Sequence, residues 1–121
     1  MVRSTLALAA VLSVASISLA GDLVTPPLWV GGSHNSTCKL VNITSAPIPA
    51  QVQMIEEGGA VLVDSGQITV GPSQVLDYGN AGLGKSVYCR FVNANIRRVR
   101  AGLTVWAASS DATDITIVPA Q

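Results

Sequence analysis

The chain has 121 residues, of which 49% are hydrophobic and 12% charged, with seven basic side chains against seven acidic ones, two cysteines and one histidine. High apolar and low charged content exclude a disordered chain, and zero formal net charge removes the electrostatic reason to expect a nucleic-acid partner. The length bounds the answer to one small domain, and a single histidine with two cysteines offers no metal cluster.

Residues 1–20 read as a secretory signal peptide. Arg3 supplies the positive start, an apolar stretch of Leu, Ala, Val and Ile runs from Leu6 to Ile17, and Ser18-Leu19-Ala20 places small residues before cleavage at Gly21. No cysteine follows the cleavage point to carry a lipid, and Ile117 to Gln121 has no apolar tail of the glycolipid-anchor type. The mature chain is therefore expected to be secreted, into an extracellular or periplasmic space, with no stable membrane anchor.

After cleavage, residues 21–35 form a Pro/Gly-rich lead-in and residues 36–121 one β domain. Thirteen Val and seven Ile stand against seven Leu in residues 21–121, and β-branched side chains suit a pleated surface better than a helix. Eleven Gly and six Pro punctuate the chain at the spacing of a sandwich. In chain order, strands are expected at 37–44, 51–57, 60–65, 67–70, 74–78, 86–93, 98–107 and 114–118, with a crossing at Ala46-Pro47-Ile48-Pro49 and a glycine-rich loop at 79–84. Segments 51–57 and 60–65 should form a hairpin about Gly58-Gly59. Alternation from Cys38 through Leu40 turns Asn42 inward, which disfavours its Asn-Ile-Thr sequon and leaves Asn35, in Asn35-Ser36-Thr37, as the credible glycan acceptor.

Segments 86–93 and 98–107 read as a second hairpin. Pairing their apolar faces sets Cys89 opposite Ala101, Tyr88 opposite Gly102 and Trp106 opposite Gly84. The same register puts Arg90 opposite Arg100 with Arg98 beside them, a basic stripe that, with Trp106, forms a candidate face for an anionic extracellular partner. Export makes Cys38 and Cys89 a disulfide pair, one that closes a long loop and contributes about 4 kcal/mol on the chain-entropy model.

No catalytic set emerges. His34 sits in the lead-in beside Gly31-Gly32-Ser33, far from a nucleophile–base arrangement, and adjacent Glu56 and Glu57 point to opposite faces of a strand. Asp111 and Asp114 belong to a polar turn, and Gly82-Leu83-Gly84-Lys85-Ser86 lacks the strand and helix of a phosphate loop. No cofactor is implied.

Three segments carry a resemblance: Thr25-Pro26-Pro27 with Val30-Gly31-Gly32; Cys38-Lys39-Leu40-Val41-Asn42; and Tyr88-Cys89-Arg90-Phe91 followed by Arg98-Val99-Arg100-Ala101. They resemble small secreted bacterial proteins of unassigned function with an immunoglobulin-like β-sandwich. The resemblance implies an all-β fold, a single antiparallel sandwich of about seven strands with one disulfide between facing sheets. The chain departs from true immunoglobulin domains in having no Trp between Cys38 and Cys89 and Val87 where a tyrosine corner would stand. The expected function is a non-enzymatic binding or structural module. The alternative is a subunit of a surface fibre or coat that adds the lead-in, 23–30, as a strand to a neighbour.

Overall fold

The structure, a computed structural model, describes residues 21–107 and 115–121. The expected signal peptide, 1–20, and the turn with Asp111 and Asp114 lie outside the described residues. Among those described there is no helix, and eleven strands follow in order: β1 (Leu23–Val24), β2 (Leu28–Val30), β3 (His34–Asn42), β4 (Ile48–Ala50), β5 (Val52–Glu56), β6 (Val61–Asp64), β7 (Ile68–Val70), β8 (Val75–Ala81), β9 (Lys85–Phe91), β10 (Val99–Ala107) and β11 (Ile115–Pro119). The count exceeds the eight segments expected along the chain, and the sandwich of about seven, because the lead-in contributes β1 and β2 and the proline-rich crossing contributes β4, all short.

All pairings are antiparallel. One sheet runs β1-β9-β5-β6, with β2 also on β9; a second runs β11-β10-β3-β8; β4 and β7 make a third, small one. Alternation decides what each sheet buries. Val87, Cys89 and Phe91 of β9 and Val52 and Met54 of β5 join Cys38 and Leu40 of β3 and Leu103 and Val105 of β10 in one apolar cluster. Cys38 and Cys89, both fully buried, are disulfide-bonded with Cα atoms 5.7 Å apart, so the bridge ties the middle strand of one large sheet to the middle of the other.

The β5–β6 hairpin stands where Gly58-Gly59 places it. Gly59 has φ +90°, and Glu56 and Ala60 close the turn through a 2.9 Å backbone bond. The second expected hairpin does not form. β9 pairs with β1, β2 and β5, whereas β10 pairs with β3 and β11. Cys89 therefore lies opposite Met54, Arg90 opposite Gln53, and Tyr88 opposite Ile55, while Arg100 lies opposite Val41 and Trp106 opposite Asn35. Alternation specifies a buried face but not a partner strand. Here the segment between β9 and β10 crosses from one sheet to the other, so the two apolar faces meet across the core instead of side by side.

Local chemistry makes that crossing. Asn93 adopts φ +53°, a left-handed conformation that asparagine tolerates. Asn95 then accepts the Arg97 N–H on its side chain at 2.9 Å and the Arg98 and Val99 N–H groups on its carbonyl at 2.8 and 3.1 Å. Gly102, expected to be covered by an aromatic ring, has a different reason to be glycine: a Cβ there would sit 2.8 Å from the Val118 carbonyl oxygen of β11.

Asn42 is fully buried, as its alternation requires, and completely bonded. Its Nδ2 donates to the carbonyls of Ala46 (2.8 Å) and Val70 (3.0 Å), and its Oδ1 accepts from the Thr44 N–H (2.8 Å) and hydroxyl (2.7 Å).

The lead-in is paired structure. Thr25 donates its N–H to the Cys89 carbonyl at 3.0 Å and accepts the Cys89 N–H on its hydroxyl at 2.9 Å, and Val24 and Gln121 exchange backbone bonds of 3.0 and 3.2 Å. Asp22 accepts from Arg90 Nε at 2.8 Å and from the Asn93 N–H at 2.9 Å, and lies 2.7 Å from Arg90 Nη2. The Asn93 amide first, then the Arg90 guanidinium, hold the Asp22 carboxyl below the usual aspartate range. Asp64 shares that direction, because Gln51, the Gly66 N–H and Gln53 bond it.

A carboxyl lowered by folding contributes stability that is present above its unfolded value and is lost as pH falls through its folded value. Melting temperature is expected to drop from about pH 4 downward, and Asp22→Asn should remove part of that slope, leaving the share due to Asp64. Thermal melts across the acid range check this; an unchanged slope in the variant would contradict it.

Candidate functional site

The structure separates the expected basic stripe. Arg90 belongs to the β9 sheet and is held by Asp22. Arg100 and Trp106 do share the outer face of β10, but six residues of strand put them about 20 Å apart. Arg98 lies in the crossing that precedes β10. These four residues do not make one surface.

What the fold assembles instead is the end of the crossing, residues 95–100. Lys39 is 3.8 Å from Asp77, Lys85 is 2.6 Å from Glu56, and Arg90 is paired with Asp22. Arg97, Arg98 and Arg100 make no ion pair with another described residue, so the uncompensated positive charge of the described lysines and arginines gathers in four consecutive positions. Arg100 is held in place by the Ile96 carbonyl and by that of Val99 at 3.1 Å. Ile96 beside them is 55% exposed.

Arg97 has no place in the strand-register reading, which points alternate residues to opposite faces. Turn geometry removes that alternation. The run Arg97-Arg98-Val99-Arg100 was the visible signal.

A cleft of about 70 Å³ opens beside this loop, between β4 and residues 92–99. Its apolar wall includes Leu40, Ile48, Ala50 and Val99, all buried, and Asn93 and Arg98 contribute polar groups to its lining.

The other candidates are occupied or dispersed. Glu56 holds Lys85 and raises the lysine's pKa above its usual value, while Glu57 accepts the Ser86 N–H at 3.4 Å. Lys85 begins β9 and is no part of a phosphate loop. His34 does not lie in a loose lead-in: it opens β3, donating its N–H to Gly31 O at 3.0 Å and accepting Gly82 N–H at 2.9 Å. Asn35 is half-buried in β3, between β8 and β10, and the next two residues of its sequon, Ser36 and Thr37, are buried. Among the described residues no three His, Cys, Asp or Glu side chains are grouped to hold a metal, and no helix is long and apolar enough to cross a membrane.

No family model and no curated protein matches the sequence. Among solved structures, the crystal structure of Thermotoga maritima 1070 is similar with a TM-score of 0.56 at 15% identity, over 86% of this chain and 95% of that one, which is a likeness of fold alone.

Proposed function

We propose that this protein is an exported, non-enzymatic β-sandwich module, immunoglobulin-like in its disulfide between facing sheets, that binds an anionic extracellular partner through residues 95–100. The observation that carries the reading is the segregation of charge: every other described Lys or Arg has a carboxylate partner, and the three without one among the described residues fall within four consecutive positions. Such a loop attracts a polyanion at long range and offers planar donors at contact. The buried Cys38–Cys89 bridge supports export, because a disulfide of this kind persists outside the reducing cytosol.

The fibre or coat alternative is less favoured. Its donor segment, 23–30, already occupies β9 of the same chain. That edge is interrupted at Pro26-Pro27, and β6 on the opposite edge is short and lies beside a bulge at Met54 and Ile55.

The test is retention of the oxidised protein on immobilised dextran sulfate. Wild type should bind and elute with moderate salt. The triple variant Arg97→Ser, Arg98→Ser, Arg100→Ser should pass through unretained while melting within about 3 °C of wild type, since exposed charges away from ion pairs contribute little stability. Equal retention of both proteins would defeat the proposal.

A further inference from the structure

We infer that the cleft between β4 and residues 92–99 is a binding site for a carboxylate that carries a short aliphatic group. The inference rests on the reading of residues 95–100 as an anion-binding loop and adds to it the chemistry next to the anion.

Three features of the cleft define the ligand. Leu40, Ile48, Ala50 and Val99 give it an apolar wall that is at most 7% exposed, against which an alkyl group displaces water favourably, while Gln51, Asn93 and Asn95 line its polar side. The volume of about 70 Å³ holds roughly two or three water-sized groups, hence a chain of about that many carbons. Arg98 supplies the charge. Among the described residues its guanidinium has no ion-pair partner, and a planar fork of donors matches a carboxylate in two parallel bonds.

Asp22, which bonds the Asn93 amide beside the cleft, makes no ion pair with Arg98. It is committed to Arg90 and to the Asn93 amide. The guanidinium therefore stands beside an apolar recess with its charge unanswered, and a ligand with an acid head and a short tail satisfies both.

Such a group occurs as a free short-chain acid or as the C-terminal residue of a peptide. Titration of the oxidised protein with acetate, propionate, butyrate and hexanoate, followed by methyl NMR shifts of Leu40, Ile48 and Val99, tests the shared chemistry. Each added methylene should tighten binding by up to about fourfold through butyrate, and hexanoate should gain nothing further. Butyramide, isosteric but uncharged, should bind at least tenfold more weakly than butyrate.

N-acetyl-Gly-Val with a free C-terminus distinguishes the sources. Tighter binding than butyrate assigns a peptide end, and weaker binding assigns the free acid. Ala50→Leu fills the cleft and should abolish the chain-length gradient while retention on dextran sulfate persists. If that variant does not fold, the methyl shifts of the wild type still decide. Butyrate no tighter than acetate, with dextran sulfate still bound through the arginines, overturns the cleft and leaves the loop standing. Loss of arginine dependence in the dextran sulfate experiment overturns the loop itself.

Discussion

Replacing Cys38 and Cys89 together by alanine is expected to lower the unfolding free energy by about 4 kcal/mol and the melting temperature by about 15 °C or more. The bridge links positions separated by 51 residues, and a loop of that length restricts the unfolded chain strongly. Both sulfurs are fully buried between the two large sheets, so truncation also removes contacts at the centre of the core. A domain of this size holds only about 5–15 kcal/mol in total, which makes the bridge a large fraction of its margin. Urea unfolding of the double variant, and of reduced wild type as a check on the substitution itself, measures the effect. A loss below about 1 kcal/mol in both would show that sheet packing alone sustains the fold.

Asn42→Ala should cost about 3 kcal/mol, an unusually large effect for a polar side chain. The amide of Asn42 joins the end of β3, the turn at 44–46 and the carbonyl of Val70 on β7. Its removal takes one donor from the Val70 carbonyl, which the β4 ladder also bonds, and from that of Ala46, leaves a void at a fully buried site and frees the Thr44 turn, losses of about 1–3 kcal/mol together. Asn42→Asp is the sharper probe. The carboxylate keeps the bonds from Thr44 but faces the Ala46 and Val70 carbonyl oxygens with no proton to donate. Its folded pKa should rise, so its stability should improve on acidification, opposite in sign to the effect of Asp22. Chemical denaturation at pH 7 and pH 5 compares the two variants; equal stability of Asn42→Ala and wild type would refute the role given to the amide.

Much of the architecture could be read from residue order, and the reasons are local. Gly58-Gly59 between alternating runs specifies the β5–β6 turn, and alternation through Cys38, Leu40 and Asn42 specifies a buried face for β3. The disulfide follows from two cysteines and the expectation of export, without geometry. What could not be read is partner choice. β9 and β10 are neighbours in sequence and each carries a clear apolar face, yet each finds its partners among distant strands. Nothing in a two-residue period distinguishes a neighbour beside from a neighbour across. The error carried into the site, because a stripe drawn on a hairpin joined Arg90, which Asp22 holds, to Trp106 at the far end of β10, and passed over Arg97.

The arrangement of β3 bears on how the chain acquires its fold. Leu40 of this central strand pairs with Leu76 on one side and Ala101 on the other, so neither neighbour is close in the chain. Loop closure over such spans precedes any gain from pairing, and domains dominated by non-local strands fold in about milliseconds to seconds, slower than helical ones of equal stability. β1 adds to the delay, since its hydrogen-bonded partners are β9 and Gln121. Apart from the local β5–β6 hairpin and the β4–β7 pair, a nascent chain completes few native pairings until β8 and the later strands are available. On the proposed export route, that slowness would keep the chain unfolded until it reaches the compartment where its disulfide closes.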